Sequence, residues 1–192
     1  MSEDLKTVPN YLTTTRLIMT PLLWMFALLR LPVYLGVGLI IAGLTDILDG
    51  YVARKTNQTS SLGSAIDSLA DNILIFSMVP WLLLLRSEIF TNHLVLSLVA
   101  ISLGLASFLT GLIKFRRIAN LHLYSAKIFG LAGHMFVIHA LLWGGYNVVL
   151  FYLTISLFML SSIEALILQL VRPKIDEHMK SIVHIYFVRQ KT

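Results

Sequence analysis

The sequence contains no cysteine, which excludes disulfide bridges and thiolate chemistry. Charged residues are also scarce, at 13% of the chain against about 25% in a typical soluble domain. Hydrophobic residues reach 57%, and this balance predicts a membrane protein. The net charge of +5 does not indicate a nucleic-acid partner, because the basic residues lie at the ends of apolar runs, where membrane topology accounts for them.

Six apolar runs are long enough to cross a bilayer, which takes about 20 residues in a helix. They predict an all-α integral membrane protein with six transmembrane helices, in which residues 1–192 form a single membrane domain with cytoplasmic tails at 1–10 and 173–192. The runs lie near residues 11–30, 33–55, 62–86, 92–116, 123–144 and 147–171.

Lysine and arginine are distributed unevenly between the two predicted sides of the membrane. One side holds only Arg30 and Arg86, and the other side holds the remaining 13 of the 15 basic residues. Basic residues accumulate on the cytoplasmic side, so both termini are predicted to be cytoplasmic and the protein to lie in the cell (inner) membrane. Interfacial aromatic residues are predicted at four positions, Trp81, Trp143, Tyr146 and Tyr152.

Four aspartates lie inside the second and third apolar runs, where a mid-membrane carboxylate costs about 2.5–3.5 kcal/mol. Asp46 and Asp71 match in depth at about 13 Å from the cytoplasmic helix ends, and Asp49 and Asp67 match at about 8 Å. On each helix the aspartates share an arc of about 100° or less. The two acidic faces are therefore expected to meet in an intramembrane polar cavity that opens to the cytoplasm.

Four aspartate carboxylates, in a chain that has no cysteine, offer only oxygen ligands. Such ligands favour hard divalent cations such as Mg²⁺, Mn²⁺ or Ca²⁺. Mg²⁺ commonly combines a few carboxylates with phosphate oxygens, which points to a phosphorylated substrate. Gly50 and Ala53 would let a large ligand approach the second helix, and Arg54 suits phosphate. In the alternative interpretation the aspartates are structural charges that pair with Arg54 and Lys55.

The aspartates belong to a pattern that resembles the signature of the CDP-alcohol phosphotransferase (CDP-alcohol phosphatidyltransferase) family. The six-span layout and the VPNYLTTTR opening also resemble bacterial phospholipid synthases of that family. The pattern comprises Asp46, Asp49, Gly50, Ala53, Arg54, Gly63, Asp67 and Asp71.

The resemblance implies a transfer of the phosphatidyl group from CDP-diacylglycerol to a small polar alcohol, with release of CMP. One or two Mg²⁺ or Mn²⁺ ions would be bound by the four aspartates, and Asp71 would also act as the general base. The CDP-lipid site would include Gly50, Ala53, Arg54 and Gly63. The resemblance also implies a homodimer surrounded by membrane lipids.

The acceptor alcohol is less well indicated by the sequence. Lys114 and Arg117 at the end of the fourth run, with Lys127 one turn into the fifth, would suit an acceptor that carries phosphate. Glycerol-3-phosphate is the first candidate, and inositol phosphate or another polar alcohol is the alternative. Asn72 departs from the lysine that phosphatidylglycerophosphate synthases usually have after the last motif aspartate.

A divalent-cation carrier is the competing function, since intramembrane carboxylates also mark ion pathways. All four aspartates lie in the predicted cytoplasmic half, which disfavours a path through the membrane. Glu164 is expected to pair with a basic residue or histidine, and His134 and His139 are expected to be hydrogen-bonded packing residues.

Overall fold

The computed structural model describes residues 8–56, 61–115 and 123–171. Within these ranges all regular structure is helical, as predicted. The helices are α1 (Val8–Leu28), α2 (Pro32–Thr56), α3 (Ser61–Leu85), α4 (Glu88–Asn92), α5 (Leu94–Phe115), α6 (Tyr124–Leu142) and α7 (Val148–Val171).

The six long helices coincide with the six predicted runs, and the short α4 was not predicted. Helices α5, α6 and α7 are each long and apolar enough to cross a membrane. Helices α1, α2 and α3 contain shorter apolar segments, at Ile18–Leu28, Pro32–Leu48 and Asn72–Leu85. The membrane character is therefore supported by three helices, and the six-span arrangement stays a prediction.

The turn from α1 to α2 follows from the local chemistry of a helix end. Arg30 adopts a left-handed conformation with φ 55°. Its N–H donates to the carbonyl of Ala27 at 3.1 Å, and the N–H of Leu31 donates to Phe26 at 2.9 Å, which is the hydrogen-bond pattern of a Schellman cap. Pro32 then occupies the first position of α2, where a missing N–H costs nothing.

The described residues group into two compact units. The first holds those up to Ile89 together with Val137–Gly145, and the second holds those of Phe90–Phe136 and from Tyr146 onward. Helix α6 contributes its N-terminal part to the second unit and its C-terminal part to the first.

Helix α1 packs against both α2 and α3 in the first unit. Leu23 lies against Gly38 of α2 so closely that a Cβ at that glycine would overlap the leucine side chain. Towards α3, the indole Nε1 of Trp24 donates to Ser77 Oγ at 3.0 Å, and its ring meets Trp81 edge-on at 5.7 Å. Trp81 is fully buried, so its predicted place in an interfacial belt is wrong.

One end of the first unit is formed by the start of α2, the end of α3 and the end of α6. Leu142 contacts Gly36, where an added Cβ would come within 2.9 Å of the leucine. Arg86 donates through Nε to the carbonyl of Ala140 at 2.9 Å and through a terminal nitrogen to Leu85 at 3.2 Å. Arginine thus satisfies carbonyls that helix ends leave unpaired.

In the second unit α5 and α7 run parallel. Contacting residues keep an offset of 54 to 58 in number along both helices. The contacts join His93 to Phe151, Gly104 to Phe158 and Lys114 to Gln169.

Helix α6 runs antiparallel to α7, since residue numbers rise on one helix as they fall on the other. Successive contacts join Ser125 to Glu164, Phe129 to Phe158, Ala132 to Thr154 and Phe136 to Phe151. Lys114, Lys127 and the end of α7 consequently lie at one end of this unit.

The opposite end of the second unit is an aromatic cluster around His93. Its ring stacks on Phe151 at 4.5 Å, and its Nε2 lies 3.1 Å from the hydroxyl of Tyr146. Tyr152 meets the same ring edge-on at 5.3 Å. The unit therefore has a basic end and an aromatic end.

Candidate active site

The motif of α2 occupies a continuous helix, because Pro32–Thr56 is helical without interruption. At about 100° per residue, position 46 lies in register with Leu35, Leu39 and Ala42. These three side chains are at most 2% exposed. Positions 49, 50, 53 and 54 continue the same helix beyond them, and their side chains lie outside the described residues.

The motif positions of α3 are likewise in helical register with buried residues. Positions 67 and 71 lie in register with Leu74, Met78 and Trp81, which are all buried, with Trp81 at 0% exposure. Between the two motif positions, Ala70 is also fully buried. On both helices the described residues in register with the motif positions are therefore buried.

Helix α1 is the common neighbour of both motif helices. It contacts α2 through Leu23 and α3 through Trp24, from successive positions on one turn. This shared support fixes α2 and α3 in one compact unit.

Of the four predicted metal ligands, only Asp46 has a described side chain, and it is half-buried. The side chains of Asp49, Asp67 and Asp71 lie outside the described residues, as do those of Ala53, Arg54, Gly50 and Gly63 in the predicted CDP-lipid site. Among the side chains that are described, no three histidine or acidic residues group into a metal site. The ligand set therefore stays a prediction, and its all-oxygen chemistry fits a hard divalent cation.

Lys114 closes the end of α5 against the end of α7. Its ammonium donates to the carbonyl of Gln169 at 2.6 Å and to that of Leu170 at 3.0 Å. It also lies 5.5 Å from the ring centroid of Phe115. Two of its three N–H donors are thus used by α7, so an acceptor phosphate would find one remaining donor.

Lys127 lies in the first turn of α6 and is exposed. Two residues earlier, Ser125 donates its hydroxyl to Glu164 Oε2 at 2.5 Å. The sequence predicted a basic residue or histidine as the partner of Glu164, whereas this hydrogen bond comes from a serine. Arg117, the third predicted acceptor residue, lies outside the described residues.

The two histidines of α6 occupy structural positions. His134 Nδ1 lies 2.8 Å from the carbonyl of Gly130, one turn earlier. His139 stacks on Trp143 with ring centroids 5.2 Å apart. The contact of His134 agrees with the hydrogen-bonded packing role expected from the sequence. His139 packs as expected, but its buried Nδ1 has no hydrogen-bond partner among the described residues, so the expected hydrogen bond is not borne out at that atom.

Comparison with known proteins identifies the family. A family model described as CDP-alcohol phosphatidyltransferase matches residues 6–171. The chain therefore belongs to the CDP-alcohol phosphatidyltransferase family, and the resemblance seen in the motif is confirmed.

The relatives described below are named for two different enzymes, a cardiolipin synthase and a glycerol-3-phosphate phosphatidyltransferase. The chain is 51% identical over 75 residues to cardiolipin synthase (CMP-forming) from Rattus norvegicus, covering 38% of this chain and 24% of the rat protein. It is 28% identical over 146 residues to the CDP-diacylglycerol--glycerol-3-phosphate 3-phosphatidyltransferase of Rickettsia typhi, covering 67% of this chain and 80% of that protein. The enzyme of the same name from Aquifex aeolicus is 41% identical over 69 residues, which is 36% of this chain and 39% of that protein. The match thus spans about a quarter of the rat protein's length.

Proposed function

We propose that this chain transfers the phosphatidyl group of CDP-diacylglycerol to an alcohol and releases CMP, with glycerol-3-phosphate as the first acceptor to test. The observation that carries the proposal is the match of residues 6–171 to the family model. In helical register, motif positions 46, 67 and 71 follow buried side chains such as Leu39 and Leu74, which supports it. An acidic motif within apolar helices requires a counter-charge, and a cation bound with a pyrophosphate would provide one.

Asp46, Asp49, Asp67 and Asp71 would hold one or two Mg²⁺ or Mn²⁺ ions. When bound, such ions neutralise pyrophosphate oxygens and stabilise the charge that develops on departing CMP.

Asp71 is proposed as the general base. The acceptor hydroxyl oxygen forms a bond to the phosphorus that carries the diacylglycerol, and the bond from that phosphorus to the CMP oxygen breaks. The hydroxyl proton passes to the Asp71 carboxylate. Gly50, Ala53, Arg54 and Gly63 are proposed to bind the CDP-lipid, with the arginine on its phosphates.

The acceptor phosphate is proposed to bind Lys127, with Lys114 and Arg117 as further candidates. Both described lysines are exposed, and Lys127 has the stronger support because Lys114 already donates to two carbonyls of α7. The names of the Rickettsia typhi and Aquifex aeolicus relatives support glycerol-3-phosphate.

A second candidate acceptor is a lipid that carries a free glycerol headgroup. The 51% identity to cardiolipin synthase (CMP-forming) supports it. Cardiolipin has two phosphatidyl groups on one glycerol, so its formation with release of CMP would use a lipid-borne glycerol. Both candidates share the same phosphoryl chemistry and differ in the acceptor alone.

The membrane arrangement is proposed to include six spans with both termini cytoplasmic, in an inner membrane and as a homodimer. At about 1.5 Å per residue, the 21 residues of α1 and the 25 residues of α2 and α3 reach 30 Å or more, which matches the hydrocarbon core. The basic end of the second unit, with Lys114 and Lys127, supports a cytoplasmic face there.

An acceptor screen tests the proposal. Detergent-solubilised protein is incubated with radiolabelled CDP-diacylglycerol, Mg²⁺ and one acceptor at a time: glycerol-3-phosphate, phosphatidylglycerol or inositol phosphate. Phosphatidylglycerophosphate as the labelled product is the expected result, and cardiolipin would favour the second candidate. A divalent-cation carrier would release no CMP with any acceptor, and this result would refute the transferase proposal.

A further inference from the structure

The first turn of α6 is tied to α7 by a hydrogen bond between Ser125 and Glu164. The hydroxyl donates to Glu164 Oε2 at 2.5 Å, a length typical of a hydroxyl that donates to an ionised carboxylate. Both side chains are half-buried. Such charge-assisted bonds are stronger than neutral ones and more restrictive in geometry.

The two helices carry few charges, and these charges lie close to this bond. Glu164 is the only formally charged residue of α7. Lys127, two residues after Ser125, is the only one of α6, histidines aside. Ionisable residues inside candidate membrane spans are costly and usually functional. A carboxylate near the N-terminus of α6 also interacts favourably with the helix dipole, which reduces that cost.

The bond determines where Lys127 lies on α6. Residues two positions apart are about 200° apart around a helix, so with Ser125 against α7 the position of Lys127 is on the opposite side of α6. The exposure of Lys127 agrees with this placement. Further along the pair, Phe129 meets Phe158 at 5.0 Å, which maintains the same rotation of α6.

We propose that Ser125 and Glu164 are positioning residues that fix the first turn of α6 and thereby hold Lys127 in place for the phosphate of the acceptor. This inference rests on the proposed function, because it takes Lys127 as the acceptor ligand. Neither residue contacts substrate in this account. Their effect is on the acceptor alone, since a misplaced cation weakens the binding of one substrate and leaves the CDP-lipid site unchanged.

The helix pair offers a matched control. Thr154 of α7 also directs a hydroxyl to α6, with its Oγ1 at 3.4 Å from the carbonyl of Ala132. This contact lies about two turns from Ser125, towards the other end of the pair. Thr154→Val keeps the shape of the side chain and removes the hydroxyl, so it reports what a general loss of helix contact does.

The test is a steady-state analysis of the full-length protein in detergent, with glycerol-3-phosphate and CDP-diacylglycerol varied in turn. Ser125→Ala is expected to raise KM for glycerol-3-phosphate by about 5- to 10-fold, with KM for CDP-diacylglycerol and the thermal midpoint near wild type. Ser125→Thr restores the hydroxyl and is expected to restore KM. Glu164→Gln keeps an acceptor oxygen and is expected to have a smaller effect than Ser125→Ala.

A double-mutant cycle tests whether Ser125 affects KM for glycerol-3-phosphate through Lys127. If Ser125 acts through Lys127, then Ser125→Ala adds less than about 2-fold to KM in a Lys127→Met background. Additive effects would overturn the inference, as would equal rises in both KM values or a Thr154→Val variant that matches Ser125→Ala. A wild-type protein that transfers nothing to glycerol-3-phosphate overturns the proposed acceptor and this inference with it. A wild type that does so, with Ser125→Ala unchanged in KM, overturns the inference alone.

Discussion

Gly104 is the position at which the packing of α5 on α7 is most sensitive to one added carbon. A Cβ built there would lie 2.6 Å from Cζ of Phe158 and 3.3 Å from its Cε1. Carbon atoms pack best at about 3.5–4.0 Å, so the ring would have to retreat by about 1 Å. Phe158 also packs against Phe129 at 5.0 Å, which restricts that movement.

Gly104→Ala is therefore expected to destabilise the protein. Overpacking costs about 1–3 kcal/mol, and alanine recovers up to about 1 kcal/mol through its higher helix propensity. The net loss is about 0–2 kcal/mol. Gly130→Ala is the matched control, because a Cβ there meets no atom within 4 Å. That variant keeps the propensity gain and should be neutral or more stable by up to about 1 kcal/mol.

Thermal unfolding of both variants in the same detergent measures the difference. The midpoint of Gly104→Ala should fall below that of Gly130→Ala, and adding Phe158→Leu to Gly104→Ala should recover part of the loss by shortening the side chain. Equal midpoints for the two alanine variants would contradict the close contact between Gly104 and Phe158.

Three further substitutions address the candidate site. Lys114→Met should lower the free energy of unfolding by about 1 kcal/mol in detergent melts, a modest value because the side chain is exposed. Lys114→Arg should retain most of the stability. An unchanged melt for Lys114→Met would show that the hydrogen bonds of Lys114 to α7 contribute nothing. Asp71→Asn should abolish CMP release while Mn²⁺ binding, followed by titration calorimetry, largely survives; near-normal turnover would remove the proposed base. Lys127→Ala should raise KM for glycerol-3-phosphate more than KM for CDP-diacylglycerol, and equal increases would mean that the acceptor binds elsewhere.

The helices were predictable because the length of an apolar run determines whether it forms a membrane-length helix. Each long helix lies within three residues of its predicted run at both ends. The length of an apolar run cannot predict a five-residue helix such as α4. It also cannot predict the left-handed backbone conformation of Arg30 after the end of α1. The cap at Arg30 depends on hydrogen bonds between residues up to five apart, which composition does not reveal.

Side-chain contacts between helices were less predictable, because they depend on which helix faces pack against each other. Trp81 was assigned to an interface by residue type, yet the helical rotation of α3 buries it against Trp24. Lys114 was predicted as an acceptor ligand from its charge alone. Its two hydrogen bonds to α7 depend on the parallel packing of α5 on that helix. Ser125 has no sequence signal at all, since one serine in a membrane helix is common.

The motif itself was predictable because its spacing encodes both depth and rotation on a helix. Leu35 and Leu39 on α2, and Leu74 and Met78 on α3, are buried at positions in helical register with motif positions 46, 67 and 71. Whether the four carboxylates converge stays a prediction, because ligand geometry depends on side-chain placement, which helical periodicity does not determine.

The most direct test of the central claim is the metal dependence of CMP release from CDP-diacylglycerol with glycerol-3-phosphate. The account predicts that EDTA abolishes CMP release by the wild-type protein, that added Mg²⁺ or Mn²⁺ restores it, and that Asp67→Asn stays inactive at any metal concentration. CMP release that persists in EDTA, or an Asp67→Asn variant with wild-type turnover, would contradict the claim that the acidic arcs of α2 and α3 bind the ions that position the nucleotide-linked lipid.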